Sequence, residues 1–146
     1  MTSVLFVCLG NICRSPTAEG VFRHLLAQEG AAGMIRVDSA GTGAWHVGEA
    51  PDARAQAAAL ERGIDLSALR ARQVSADDFR LFDHVLAMDD SNLTDLAALC
   101  PSPYRSRLRL LLDFAPHVEE REVPDPYFGG DDGFGHVLDQ IGRAHV

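Results

Sequence analysis

At 146 residues, with a formal charge of −8 and 47% apolar residues, the chain has the size and composition of one soluble domain spanning residues 1–146 with a core of its own. The acidic balance disfavours nucleic acid as a general partner. All 13 basic residues are arginine, which excludes a lysine Schiff base or a Walker-type phosphate lysine. No apolar run reaches the roughly 18 residues of a membrane span, no basic-then-apolar leader opens the chain, and three cysteines make no secreted disulfide framework, so no membrane partner and a cytoplasmic setting are expected.

The first apolar run, residues 4–7, reads as a strand. The turn VCLGNICRSP, residues 7–16, follows and leads into a helix. Ser15 is its expected N-cap and Pro16 its first helical position, with Ala18, Val21, Phe22, Leu25 and Leu26 on one apolar face. Further strands are expected at residues 35–38, 84–88 and 108–112. The intervening helices should begin near Asp52, closing at Gly63, and near Ser91, with a last one from about Asp132 for which Asp131 and Asp132 supply caps. This alternation is βαβ punctuation and predicts an α/β fold with a parallel sheet. Right-handed crossovers then bring the loops at residues 8–15, 40–51, 89–90 and 115–131 to one sheet edge, where ligands bind in open α/β folds.

The turn after the first strand carries the strongest chemical signal. If the N–H groups from Leu9 through Gly10, Asn11, Ile12, Cys13 and Arg14 to Ser15 curl around one point at a helix N-terminus, they form an anion cradle. Gly10 and Asn11 tolerate the left-handed dihedrals such a curl needs. The same field favours thiolate at Cys8, and Arg14 offers a planar fork of donors for two oxygens of a tetrahedral oxyanion. A thiolate nucleophile beside a phosphate clamp points to phosphoryl transfer through cysteine. Cys13 is either a buried filler or a nearby thiol that traps oxidised Cys8 as a disulfide.

Attack on a phosphoester also needs a general acid at the same edge, for which Asp38, Asp52, Asp89, Asp90 and Asp125 are candidates. Asp125 stands between Pro124 and Pro126, which stiffen the backbone around it, and it is the favoured acid. No metal site is expected: the two loop cysteines lack a second ligand pair, and His24, His46, His84, His117, His136 and His145 show no ligand spacing. Asp131 and Asp132 do not fit a calcium-loop pattern. Arg105, Arg107 and Arg109 alternate with Leu108 and Leu110 as the solvated face of an edge strand would, which does not make a nucleic-acid site.

CLGNICRS near the N-terminus and DPYFG near the C-terminus together resemble the low-molecular-weight protein tyrosine phosphatases. DSAGTG at 38–43, WHVG at 45–48 with Pro51 and Asp52, ARQ at 71–73 and MDDSNL at 88–93 extend the resemblance, in the family's order, over nearly the whole chain. It implies a flavodoxin-like three-layer fold, a four-stranded parallel sheet flanked by helices, and hydrolysis of phosphotyrosine without metal or other cofactor. By this resemblance Cys8 is the nucleophile, Arg14 the phosphate-binding arginine and Asp125 the general acid. Asn11, Ser15 and Ser39 hold the loop, while Leu9, Ile12, Trp45 and Tyr127 wall a slot for a phenyl ring. The implied partner is a phosphotyrosine-containing protein, with phosphate and other oxyanions as competing ligands. Two departures stand out: Leu69 replaces a histidine common in relatives, so the polar support around Asn11 should differ, and Phe128 replaces a second tyrosine. Arsenate reductases with the same loop need further cysteines, and only Cys100 lies outside it here. Arginine phosphatases typically carry threonine at the position of Ile12.

Overall fold

The computed structural model describes residues 2–115, 120–127 and 132–144. Four parallel strands, β1 (Thr2–Cys8), β2 (Ile35–Gly41), β3 (His84–Ala87) and β4 (Leu108–Leu110), form one sheet in the order β2-β1-β3-β4. Five helices accompany them: α1 (Arg14–Gln28), α2 (Ala53–Leu60), the single turn α3 (Asp78–Leu81), α4 (Asp90–Leu99) and α5 (Asp132–Ala144). Strand β1 is central, and the chain runs first to one side of it and then to the other. The crevice of such a sheet lies at the carboxyl end of β1, where Cys8 sits.

The period-2 geometry of β1 divides its side chains between two cores. Val4, Phe6 and Cys8 face α1 and α5, joining Ala18, Val21, Val137, Leu138 and Ile141. Leu5 and Val7 face α3 and α4, joining Phe79, Phe82, Leu96 and Leu110. Both faces are covered, which is why β1 reads as a continuous apolar run rather than an alternating one. Leu5, Phe6 and Val7 have no exposed surface, and burying each contributes roughly 1.5–3 kcal/mol. A third cluster, Ile12, Cys13, Ala55, Ala71 and Phe134, joins the turn after β1 to α2 and α5.

Several expected boundaries move. Helix α1 starts at Arg14, with Cys13 at the N-cap and no side-chain cap. Ser15 does not cap it, because its hydroxyl lies between Cys8 and Ala40 inside the turn. Asp52 caps α2 through the Arg54 N–H, and Gly63, at φ 79°, closes the turn after it as expected. Strand β4 ends at Leu110, since residues 111–114 wind into a 3-10 turn that buries Leu111 and Leu112. Arg105 and Arg107 lie in another 3-10 turn, Ser102–Arg107, rather than on the edge strand, and Arg107 Nη1 donates to the carbonyls of Phe79, Arg80 and Phe82. Arg109 does lie on β4. His117, Phe128, Asp131 and His145 fall outside the described residues.

Helix α1 packs on β2 through a polar seam. Glu19 is 3% exposed; its Oε1 accepts from Ser39 Oγ at 2.7 Å and its Oε2 from Arg23 Nε at 2.9 Å. Burial raises the Glu19 carboxyl above its ordinary 4.5, against the opposing pull of Ser39 and Arg23. A carboxyl with a raised folded-state pKa contributes stability that is complete below the unfolded value and is lost as pH climbs through the folded one. Glu19→Gln removes that dependence. The unfolding free energy of the variant minus that of the wild type should therefore grow as pH rises from about 4.5, and level off once the native Glu19 has ionised. Urea unfolding across a pH series measures it, and a flat or falling difference contradicts the assignment.

The end of β2 also leaves no room for a side chain. A Cβ on Gly41 would stand 2.8 Å from Leu9 O and 3.1 Å from both Asn11 N and Gly10 C. These are backbone atoms that cannot swing aside. Gly41→Ala should cost about 1–3 kcal/mol in urea unfolding and shrink the further stabilisation that added phosphate gives, because the turn itself must shift.

Candidate active site

The turn between β1 and α1 is held open from outside. The carbonyls of Cys8, Leu9 and Ile12 accept from the N–H groups of Thr42, Gly43 and Asp52 at 2.9, 2.9 and 2.8 Å. With its carbonyls drawn outward, the turn faces its N–H groups inward. Those of residues 10–13 donate to no acceptor among the described residues. The first amides of α1 lack intrahelical partners by construction, so the uncapped helix end adds its dipole to the same point.

Asn11 makes this curl possible. Its φ of 57° is the only positive value at a non-glycine among the described residues, and its side chain is fixed at every polar atom. Asn11 Nδ2 donates to Ser15 Oγ at 2.7 Å and to Ser39 Oγ at 3.0 Å, while Oδ1 accepts from the Arg72 N–H at 3.0 Å. The Ser39 hydroxyl in turn donates a hydrogen bond to Glu19 Oε1. The polar support of Asn11 thus comes from two hydroxyls and a main-chain N–H, while Leu69 packs against the apolar core. The Arg72 side chain is braced in turn by Asp38 and Asp78.

Ser15 Oγ stands 3.0 Å from Cys8 Sγ and 3.3 Å from Ala40 O. Because Asn11 already donates to it, the single Ser15 proton is left for one of two acceptors, the Ala40 carbonyl or the sulfur. Cys13, 5% exposed, lies in the third apolar cluster. Burial first, and then the charge of Asp52, push its thiol far above the ordinary range, so it stays protonated and is a poor nucleophile.

Arg14 is 2% exposed and its guanidinium is divided between two tasks. Nη1 donates to Asp89 Oδ2 at 2.6 Å and to Val123 O at 2.9 Å, which uses both of its protons. The Nε and Nη2 edge makes no hydrogen bond among the described residues and is the fork left for a ligand. Burial opposes the charge on Arg14, yet Cys8 and Asp89 outweigh it and raise the guanidinium further. Asp125 Oδ2 lies 3.6 Å from Nη2, and its Oδ1 accepts from the Tyr127 N–H at 3.0 Å.

Cys8, Arg14 and Asp125 face one cavity of about 270 Å³, with Leu9, Gly10, Ile12, Cys13, Trp45 and Tyr127 also on its walls. Asn11, Ser15 and Ser39 stand behind the turn rather than on the wall. His46, which sequence reasoning did not single out, joins the lining and pairs with Glu49. The other acid candidates are occupied elsewhere. Asp38 braces Arg72, Asp52 caps α2, Asp90 pairs with Arg121, and Asp89 both caps α4 and holds Arg14. No cluster of His, Cys, Asp or Glu suited to a metal ion occurs among the described residues, and none of the described helices is long and apolar enough to cross a membrane.

Known proteins share this architecture. A protein from Bacillus subtilis described as low molecular weight protein-tyrosine-phosphatase YfkJ is 45% identical over 131 residues, covering 90% of this chain and 84% of the relative. A protein tyrosine phosphatase from Entamoeba histolytica, crystallised with Hepes in the active site, superposes with a TM-score of 0.95 at 38% identity, covering 99% of this chain and 92% of that one. A Drosophila arginine phosphatase superposes with a TM-score of 0.88 at 39% identity, covering 99% and 93% of the two chains. The profile of the family described as low molecular weight phosphotyrosine protein phosphatase matches residues 3–145. With that match running from β1 to the end of α5, the chain belongs to the low molecular weight phosphotyrosine protein phosphatase family.

Proposed function

We propose that this protein hydrolyses phosphotyrosine in protein substrates, and simple aryl phosphates, through a phosphocysteine intermediate. The observation that carries this reading is the convergence of Cys8, the Nε and Nη2 edge of Arg14 and Asp125 on one cavity. The phosphoryl group sits in the turn, where the inward N–H groups and the Nε and Nη2 edge of Arg14 hold its equatorial oxygens. The Cys8 thiolate attacks phosphorus in line. As the S–P bond forms and the P–O bond breaks, Asp125 delivers its proton to the departing phenolate. Water then attacks phosphocysteine, Asp125 takes a proton from it, and the S–P bond breaks to release phosphate and regenerate the thiolate. The Ser15 hydroxyl donates to the sulfur whenever it carries charge.

The walls fit an aromatic leaving group. Trp45 and Tyr127 present apolar faces above the turn, and Ile12 lines it with a side chain that offers no acceptor to a guanidino group. Ile12 therefore favours phosphotyrosine over the phosphoarginine suggested by the Drosophila relative's name. Parallel assays of phosphotyrosine and phosphoarginine peptides decide between them. Hepes, a buffer that carries a sulfonate group, in the active site of the Entamoeba relative supports phosphate and other oxyanions as competing ligands.

Cys8→Ser should abolish turnover of para-nitrophenyl phosphate while leaving phosphate binding in place. Acid-quenched wild-type enzyme should carry one phosphoryl group on Cys8 by mass spectrometry, and EDTA should change neither rate nor labelling. Full activity in the serine variant sinks the mechanism. Asp125→Asn should slow phenyl phosphate by about 100-fold or more, with a far smaller effect on dinitrophenyl phosphate, whose leaving group needs no proton.

A further inference from the structure

The acid loop contains two prolines, which supply no N–H for main-chain anchoring. Arg14 and the Met88 carbonyl hold its near end at Val123, and a side chain from α2 reaches across to hold it beyond the prolines. Arg54, in the first turn of α2, directs Nε and Nη2 at the Asp52 carboxylate, both at 3.1 Å, and Nη2 also donates to Tyr127 O at 2.9 Å. The guanidinium carbon lies 4.8 Å from the Phe134 ring centroid and 5.5 Å from that of Tyr127, so the plane is wedged between α5 and the loop. Asp52 is itself tied to the oxyanion turn, because its N–H donates to Ile12 O at 2.8 Å. A continuous path therefore runs from the Ile12 carbonyl through Asp52 and Arg54 to the Tyr127 carbonyl. Tyr127 completes it, since its N–H holds Asp125 Oδ1 at 3.0 Å.

We infer that Arg54 is a positioning residue for Asp125: by bridging Asp52 and the Tyr127 carbonyl it fixes the acid loop to the oxyanion turn, so that Asp125 presents Oδ2 to the leaving group. The inference rests on the acid assignment proposed above. Two features make arginine specific to this task. Its planar fork meets a carboxylate and a carbonyl at once, and its flat face stacks on two rings, neither of which a lysine reproduces. With Oδ1 occupied by the Tyr127 N–H, the transferable proton rides on Oδ2, the oxygen 3.6 Å from Arg14 Nη2. Without Arg54 the Tyr127 carbonyl loses this hydrogen bond, and the adjoining peptide, whose N–H orients Asp125, is held less firmly. The harm should be confined to the step that protonates the leaving group, because Arg54 does not line the cavity.

The test compares kcat/KM over a series of aryl phosphates, from dinitrophenyl to phenyl, for the wild type, Arg54→Met, Arg54→Lys and Asp125→Asn. Arg54→Met should lose about tenfold or more on phenyl phosphate relative to dinitrophenyl phosphate, while inhibition by inorganic phosphate stays within about twofold of the wild type. Arg54→Lys, which keeps the charge and three donors but not the planar fork or the stacking face, should recover part of the phenyl phosphate loss. An equal loss on every leaving group, or weakened phosphate inhibition, would make Arg54 a structural brace and overturn the inference. So would a wild-type slope in Arg54→Met beside a steep one in Asp125→Asn. A wild-type slope in Asp125→Asn itself overturns the acid assignment. If Arg54→Met does not fold, Arg54→Gln, which keeps one donor, carries the same comparison.

Discussion

Everything at the catalytic edge depends on the turn after β1 facing inward with its N–H groups and outward with its carbonyls. Three main-chain donors, from Thr42, Gly43 and Asp52, pull the carbonyls of Cys8, Leu9 and Ile12 away from the centre. One residue, Asn11, absorbs the backbone reversal at φ 57°. An L-residue in that region costs roughly 1–2 kcal/mol. The three hydrogen bonds of the Asn11 amide, each contributing about 1 kcal/mol when buried, offset that cost and select asparagine over glycine. The turn is thus preformed, and a ligand need not reorganise it.

Charge alone would not make this an anion site. Arg14 is paired at 2.6 Å with Asp89 and stands 3.6 Å from Asp125, in a protein whose formal charge is −8. The side chains nearest the cavity therefore carry little net positive charge. The attraction for a phosphoryl group must come from oriented dipoles, namely the inward amides and the start of α1, with the free edge of Arg14 supplying direction. Asp89 acts by geometry: it occupies the Nη1 side, so that the opposite edge makes no hydrogen bond among the described residues and meets only the Asp125 carboxylate, at 3.6 Å. A buried guanidinium lacking that partner would be costly.

What the sequence made legible follows from how local each signal is. The strand-turn-helix unit at residues 4–28 was readable because an apolar run, a Gly-Asn pair and Ser-Pro mark it within a few residues of one another. Asp125, which lines the cavity with Cys8 and Arg14, stood out in the sequence because two prolines flank it. The N-cap expectation for Ser15 failed since cap statistics describe isolated helices, whereas here the hydroxyl is drawn to Cys8 and Ala40 by tertiary placement. The arginines at 105 and 107 alternated like a strand, yet the chain there winds into a 3-10 turn whose Arg107 closes carbonyls 25 to 28 residues away. Glu19, Arg54 and the true task of Asp89 were invisible for the same reason: their partners Ser39, Tyr127 and Arg14 are distant in sequence. Only the Asp52 and Arg54 spacing and the Glu19 and Arg23 spacing gave local hints.

The partners of Arg54 and Glu19 reveal a division of labour between the two sides of the turn. On the β2 side, Glu19, Ser39, Asn11 and Ser15 form a chain of side-chain hydrogen bonds that ends at the sulfur. On the α2 side, Ile12, Asp52, Arg54 and Tyr127 form a second chain that ends at Asp125. The first is almost wholly buried and rigidifies the surroundings of Cys8. The second runs through Arg54, whose side chain is 39% exposed, so it sits in higher dielectric and holds less firmly. In the proposed mechanism the two groups also differ in what they must do: the Cys8 sulfur holds one position, whereas the Asp125 carboxyl must meet first a departing oxygen and then an arriving water. A stiff support for the former and a looser one for the latter is the arrangement that those two tasks require.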